Sequence, residues 1–194
     1  MEASRLENIS LEEYRTIEEE SGQKYEFHNG TIFAMAGGTY NHGLISGNIF
    51  ALINAKLLHK NTSCFPLNSD IKLHVQEGNR FLYPDTMVVC NKAEKSRLDG
   101  EAITNPIVII EVLSKSTANY DRGDKFFFYR QIPTLQEYVL VEQEKPLIET
   151  FTRSQKNMWS IDRSEGLDAS IQLNSIDIDL ALSMVYRNVE FEVV

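Results

Sequence analysis

The chain has 194 residues, 42% of them hydrophobic and 24% charged, with a formal net charge of -9. This is ordinary globular material, long enough to bury a full core without disulfide or metal staples, and a single domain over residues 1–194 is expected. The acidic balance excludes a protein that coats nucleic acid through bulk positive charge, but it leaves room for an acidic site that holds cations.

No apolar run approaches the ~18 residues of a membrane span, so no membrane partner is expected. The start, Met1-Glu2-Ala3-Ser4-Arg5, runs into acidic residues rather than a basic and then apolar leader, which fits a cytoplasmic protein. Cys64 and Cys90 have no CxxC spacing, which excludes a zinc ribbon; one disulfide between them is possible, though nothing else suggests secretion.

Ser10-Leu11-Glu12-Glu13 reads as a capping box that opens a helix to about Glu20, stopped by Gly22. Residues 25–27 and 31–33 flank Asn29-Gly30, a strong hairpin signal. Leu44, Ile45, Ile49, Leu52, Ile53 and Leu57 predict a helix over residues 41–59 with one buried face. Ile71, Leu73 and Val75 alternate as in a half-buried strand, and residues 81–90 read as a second strand carrying Pro84-Asp85. After Asn105-Pro106, residues 107–113 are apolar on both faces and predict a central strand. A helix over residues 120–131, with Asp121 as its N-cap, and a strand over 137–141 then suggest a βαβ crossover. Short antiparallel strands to about Leu173 and a closing helix over 179–186 complete an α/β (α+β) chain with an N-terminal helix and hairpin.

Two acids stand out. Glu111 ends the most apolar strand, where a carboxylate is costly to bury unless paired or bound to a metal. Asp85, a poor strand former, follows Pro84, which removes a ladder donor and forces an interruption or bulge. On adjacent strands the two could converge on one divalent cation, with the backbone carbonyl of Val112 as a third ligand. Mg²⁺ typically takes one or two carboxylates and completes its shell with water and substrate phosphate. A nearby lysine would stabilise the transition-state charge or orient the water.

This arrangement resembles the PD-(D/E)XK nuclease superfamily, and within it the Uma2 family of restriction-endonuclease-like proteins. The resemblance is carried by Tyr25-Glu26 with Gly30; Ala36-Gly37-Gly38 with Asn41-His42; Ser69-Asp70; Tyr83-Pro84-Asp85; Glu111-Val112-Leu113-Ser114 with Ser116-Thr117; Asp121-Arg122-Gly123 with Lys125; and Glu137-Tyr138. It implies a mixed-sheet nuclease core flanked by helices, dependence on Mg²⁺ or Mn²⁺, and DNA as substrate. The superfamily's lysine would fall two residues after Glu111, where this chain has Leu113. Lys125, on the helix after the catalytic strand, is the preferred replacement; Lys72, in Asp70-Ile71-Lys72, is the second choice, and Lys115 is nearer in sequence. Glu26 and Asp70 are candidate accessory acids.

Each residue also has a plainer reading. Asp85 would be a turn acid, Glu111 a buried structural partner of Arg122 or Lys125, Glu26 a hairpin-edge acid, Asp70 a strand-edge acid and Lys125 a solvated helix lysine. The four histidines show no metal spacing, and His42 beside Asn41 could cap a helix. Gly37-Gly38 lacks the GxxxxGK pattern and reads as a turn. Phe126-Phe127-Phe128-Tyr129 covers more than one helix face, for a core and a subunit interface. The reading that follows is a metal-dependent endonuclease acting as a homodimer on DNA. Its alternatives are a catalytically silent nuclease-fold binding or scaffold protein and a hydrolase of a small phosphoester.

Overall fold

The computed structural model describes residues 5–35, 37–115, 117–155 and 158–191. Met1 to Ser4, Ala36 and Ser116, which figured above, lie outside the described residues.

The fold is organised around the break at Pro84-Asp85. The expected single strand over 81–90 is two: β6 (Arg80–Leu82) and β7 (Thr86–Cys90), in different sheets. Proline cannot donate to a ladder, so the chain leaves one sheet there and enters the other.

The first sheet has the order β1-β3-β2-β6-β5, from β1 (Arg5–Glu7), β2 (Tyr25–His28), β3 (Thr31–Ala34), β5 (Leu73–Val75) and β6. Its central hairpin turns through Asn29 and Gly30 with φ of 47° and 97°, the left-handed backbone that an Asn-Gly turn supplies. α1 (Leu11–Ser21) carries the expected capping box, with Ser10 and Glu13 bonded reciprocally, and ends at left-handed Gly22. It buries Tyr14 against Phe27, Ile32 and Phe81 on one face of this sheet. The other face carries Glu26, His28, Phe33 and Arg80, which share it by cross-strand register.

The second sheet is mixed, with the order β11-β10-β9-β8-β7-β4. Its members are β4 (Cys64–Asn68), β7, β8 (Val108–Val112), β9 (Glu137–Val141), β10 (Leu147–Arg153) and β11 (Trp159–Glu165). β8 and β9 pair in parallel, as the crossover reading requires, and β8 is central and buried throughout. α2 (Tyr40–Lys60) lays Ile45, Ile49, Ile53 and Leu57 against Val88, Val108, Ile110 and Val112 on one face. The opposite face, with Ile109, Leu113, Tyr138 and Leu140, packs with Tyr129 from the helical segment between β8 and β9. Cys64 and Cys90 face each other across β4 and β7 and are joined in a disulfide.

Two further expectations are corrected. The helix over 120–131 begins earlier and is not uniform: α3 (Ala118–Tyr120) widens into a π-turn (Asp121–Lys125) and resumes as α4 (Phe126–Tyr129). The closing helix over 179–186 is mostly replaced by β13 (Ile178–Ala181), paired with β12 (Ser170–Leu173) and followed by one turn, α5 (Leu182–Val185). Buried Ile178 and Leu180 alternate with exposed Asp179, a two-residue period that a window dense in apolar residues obscures.

Candidate active site

The β7–β8 ladder ends with Thr86 opposite Ile110, two residues short of Val112. On the β7 side the Val112 amide therefore has no ladder partner among the described residues. Asp85 supplies one: its Oδ2 accepts the Val112 N–H at 2.7 Å. The same oxygen lies 3.3 Å from His42 Nε2. α2 starts at Thr39, whose hydroxyl accepts the His42 N–H, so the imidazole stands on the first turn of that helix. Gly38 makes room for the ring, since a Cβ there would come within 2.8 Å of His42 Nδ1.

Glu111 lies on the face of β8 that packs with Tyr129 and is only 3% exposed. Its Oε1 accepts from Lys125 Nζ at 3.0 Å and from the Tyr129 hydroxyl at 2.8 Å. Lys125 Nζ also lies 3.2 Å from Asp121 Oδ1 and 3.3 Å from Glu26 Oε1. The Tyr120 hydroxyl donates to Glu26 Oε2 at 3.1 Å and lies 3.1 Å from His28 Nε2. The π-turn that carries Asp121 and Lys125 contains Gly123, a weak helix former, and wide turns of this kind recur at functional sites.

Three carboxylates thus share one buried ammonium, and Asp85 is near enough for its charge to act on Glu111. Burial pulls the Lys125 pKa down, but Glu111 and Glu26 outweigh it, so the lysine is held charged, well above its ordinary value. Burial also works against the Glu26 carboxylate, yet Lys125, His28 and Tyr120 bring its pKa down to about 2. At Glu111 burial wins, reinforced by the charges of Asp85 and Asp121, and the pKa rises despite Lys125 and Tyr129. These directions are consistent: the cluster has more negative than positive groups, and burial with like-charge crowding raises the proton affinity of Glu111. The hydrogen bond to Asp85 raises the His42 pKa, with burial opposing.

An ion pair of Glu111 with Lys125 is also what a purely structural role predicts. A structural pair would not need Glu26, Asp121 and Asp85 beside it. Buried like charges cost stability, and such an excess is typical of sites that take a cation or a proton. Among the described residues no group of three or more His, Cys, Asp or Glu side chains is arranged to hold a metal, which speaks against a zinc-type cage. Asp85 bonds the backbone amide next to Glu111, so both carboxylates belong to one end of β8; Mg²⁺ and Mn²⁺ ask for few carboxylates and leave other positions to water and phosphate.

The remaining candidates lie elsewhere. Lys72 pairs with Glu18 at 2.8 Å and Asp99 at 2.9 Å, beneath the rings of Tyr14 and Tyr83. Asp70 is an exposed partner of Lys24, and Lys115 pairs with Glu144. Arg122 binds Glu142 and Glu149, so it is not the partner of Glu111. Asp121 is not an N-cap: the helical segment starts a turn earlier, and its carboxylate turns inward to Lys125. Sequence reasoning missed Asp121, Tyr120 and Tyr129 as members of the cluster, and His42 as the neighbour of Asp85. The four-residue spacing of Asp121 and Lys125 was a usable signal; the others depend on tertiary contacts.

The Uma2 family profile, described as "Putative restriction endonuclease", matches residues 11–184. The chain is 34% identical over 183 residues to the uncharacterized protein slr1290 of Synechocystis sp., covering 94% of each. It is 33% identical over 170 residues to a second uncharacterized protein of that organism, sll1609, covering 88% of this chain and 95% of that one. Among solved structures it superposes on a "putative nuclease belonging to DUF820" from Anabaena variabilis, with a TM-score of 0.68 over 85% of this chain and 90% of the other. At 13% identity that likeness concerns the fold.

Proposed function

Because the chain belongs to the Uma2 family, we propose that it is a divalent-metal-dependent endonuclease that hydrolyses nucleic-acid phosphodiesters, with DNA as substrate. The observation that carries this reading is the contact of Lys125 Nζ with Glu111 Oε1 at 3.0 Å, beside an Asp85 bonded to the very next backbone amide. That is an aspartate–glutamate–lysine set whose lysine comes from the following helix instead of from position 113.

Asp85, Glu111 and the Val112 carbonyl would hold Mg²⁺ or Mn²⁺. When bound, the ion polarises the scissile phosphate and acidifies a water. Lys125 holds an ammonium beside the reacting phosphate and offsets the charge that builds as water attacks phosphorus and the ester oxygen leaves. Glu26 and Asp121 keep that lysine charged and oriented. His42 and the Val112 amide fix the rotamer of Asp85. Asp70 and Lys72 are not given a role in this step.

A homodimer completes the reading. No helix of the described residues is long and apolar enough to cross a membrane. Exposed Met158 and Ile161, beside and on the edge strand β11, are where a second copy would bind, and sedimentation at working concentration tests it. The decisive assay is cleavage of supercoiled plasmid and of single-stranded DNA with Mg²⁺ or Mn²⁺, wild type beside Glu111→Gln. Cleavage lost in the variant supports the assignment. Cleavage equal in both, or absent from the wild type with either ion, sinks it.

A further inference from the structure

The face of the first sheet that carries Glu26 leads out of the buried cluster to a surface of rings and guanidinium groups. His28 follows Glu26 on that face and lies 5.6 Å from the Phe128 ring and 5.1 Å, edge-on, from Phe33. Arg80, opposite His28 in the register, lays its guanidinium 4.0 Å from the centroid of Phe128. Phe127, ring to ring with Phe128 at 6.1 Å, is 49% exposed, and Arg130 lies 4.7 Å from its centroid. The chain has 28 acidic residues, yet among the described residues neither Arg80 nor Arg130 pairs with a carboxylate. Arg80 donates to the Glu77 carbonyl at 2.8 Å and lies over the Phe128 ring, and Arg130 lies over that of Phe127.

Core packing explains Phe126, which is stacked on Tyr138 and packed against Phe151 and Trp159. It does not explain Phe127 and the two arginines. Flat rings interleaved with cations bind a polyanion whose bases are unstacked: the rings accept base faces and the guanidinium groups accept phosphates or stack in turn. Paired bases inside a duplex hide those faces. The platform is also continuous with the site, because Tyr120 touches both His28 and Glu26, and Glu26 touches Lys125.

We infer that Phe127, Phe128, Arg80 and Arg130 form a stacking platform that holds an unpaired stretch of nucleic acid and feeds it to the Glu111–Lys125 site. This rests on the nuclease reading and narrows its substrate to single-stranded or locally opened strands.

The test is fluorescence anisotropy of a labelled single-stranded oligodeoxynucleotide, and of the same sequence as a duplex, in EDTA so that nothing turns over. The wild type is expected to bind the single strand more tightly than the duplex. Phe127→Ala should weaken single-strand binding on the order of tenfold, Phe127→Trp should restore it, and duplex binding should stay unchanged. Because Phe127 is half exposed, the alanine variant should keep its melting temperature. Equal binding of duplex and single strand, or an indifferent Phe127→Ala, would overturn the platform. The nuclease reading fails separately: a protein that binds single strands through Phe127 but cuts no nucleic acid keeps the platform and loses the enzyme. A protein that cuts duplex well and shows no Phe127 dependence does the reverse.

Discussion

Lys125 Nζ donates to Glu111 Oε1 at 3.0 Å from fourteen residues further along the chain, and lies within 3.3 Å of Glu26 and Asp121 as well. One cation contacts three buried acids. Lys125→Met should therefore destabilise the fold by about 3–5 kcal/mol, the usual cost of leaving buried charges unpaired. Adding Glu26→Gln should recover part of that loss, because one of the stranded carboxylates is then gone. Urea denaturation of the three proteins measures it. A double variant no more stable than the single would show that Glu26 and Lys125 are not energetically coupled.

Glu26 should leave a mark on acid unfolding. Its folded pKa of about 2 lies below the ordinary glutamate value of 4.5, so it contributes stability above pH 4.5 that is lost as pH falls toward 2. The contribution is on the order of 3 kcal/mol. Glu26→Gln should flatten the dependence of stability on pH in that window. If wild type and variant lose stability in parallel between pH 5 and 2 (about the range of the shift), the carboxylate is not held as described.

Glu111 has the opposite sign. Its pKa is raised in the fold, so its contribution is intact below the ordinary carboxylate range and is lost as pH climbs through the raised value. Without metal, Glu111→Gln should melt above the wild type in alkaline buffer, and the gap should close in mild acid. Adding Mn²⁺ should then raise the wild-type melting temperature and leave the variant where it was. A Mn²⁺ shift of equal size in both proteins would remove Glu111 from the metal site.

Glu137, which belongs to the strings that resemble the family, serves the fold. It is fully buried and accepts the Asn174 and Ser175 amides at 2.8 and 3.1 Å, and the Ser175 hydroxyl. Glu137→Ala strips those donors of their acceptor and should cost about 3 kcal/mol. Cleavage per folded molecule should be unchanged. A catalytic defect at full stability would place Glu137 in the chemistry.

Local signals carried much of the fold. The Ser10–Glu13 capping box, the Asn29-Gly30 hairpin, the one-faced apolar pattern of α2 and the two-faced apolar run of β8 each depend on neighbours a few residues away, and the structure has all four. The strand over 81–90 was legible only as far as its break, because a proline announces an interruption but not a change of sheet. β13 was misread because a two-residue period over four residues is too short to outweigh dense apolar content.

By itself, the sequence determined that two acids stand where acids are costly: Asp85 after a ladder-breaking proline, and Glu111 in the chain's most apolar strand. Only the tertiary structure decided what meets them. The residue two beyond Glu111 is Leu113, 1% exposed and packed in the core, so no lysine can come from there. The parallel pairing of β8 and β9 requires a crossover, and that crossover brings α3, the π-turn and α4 back over the sheet with Lys125 directed at Glu111. The contact of His42 with Asp85 likewise joins residues 43 positions apart, and Glu26 reaches Lys125 from the other sheet. Side-chain identity sets what each group can do; the burial and like-charge crowding that shift its proton affinity exist only after the chain has closed around it.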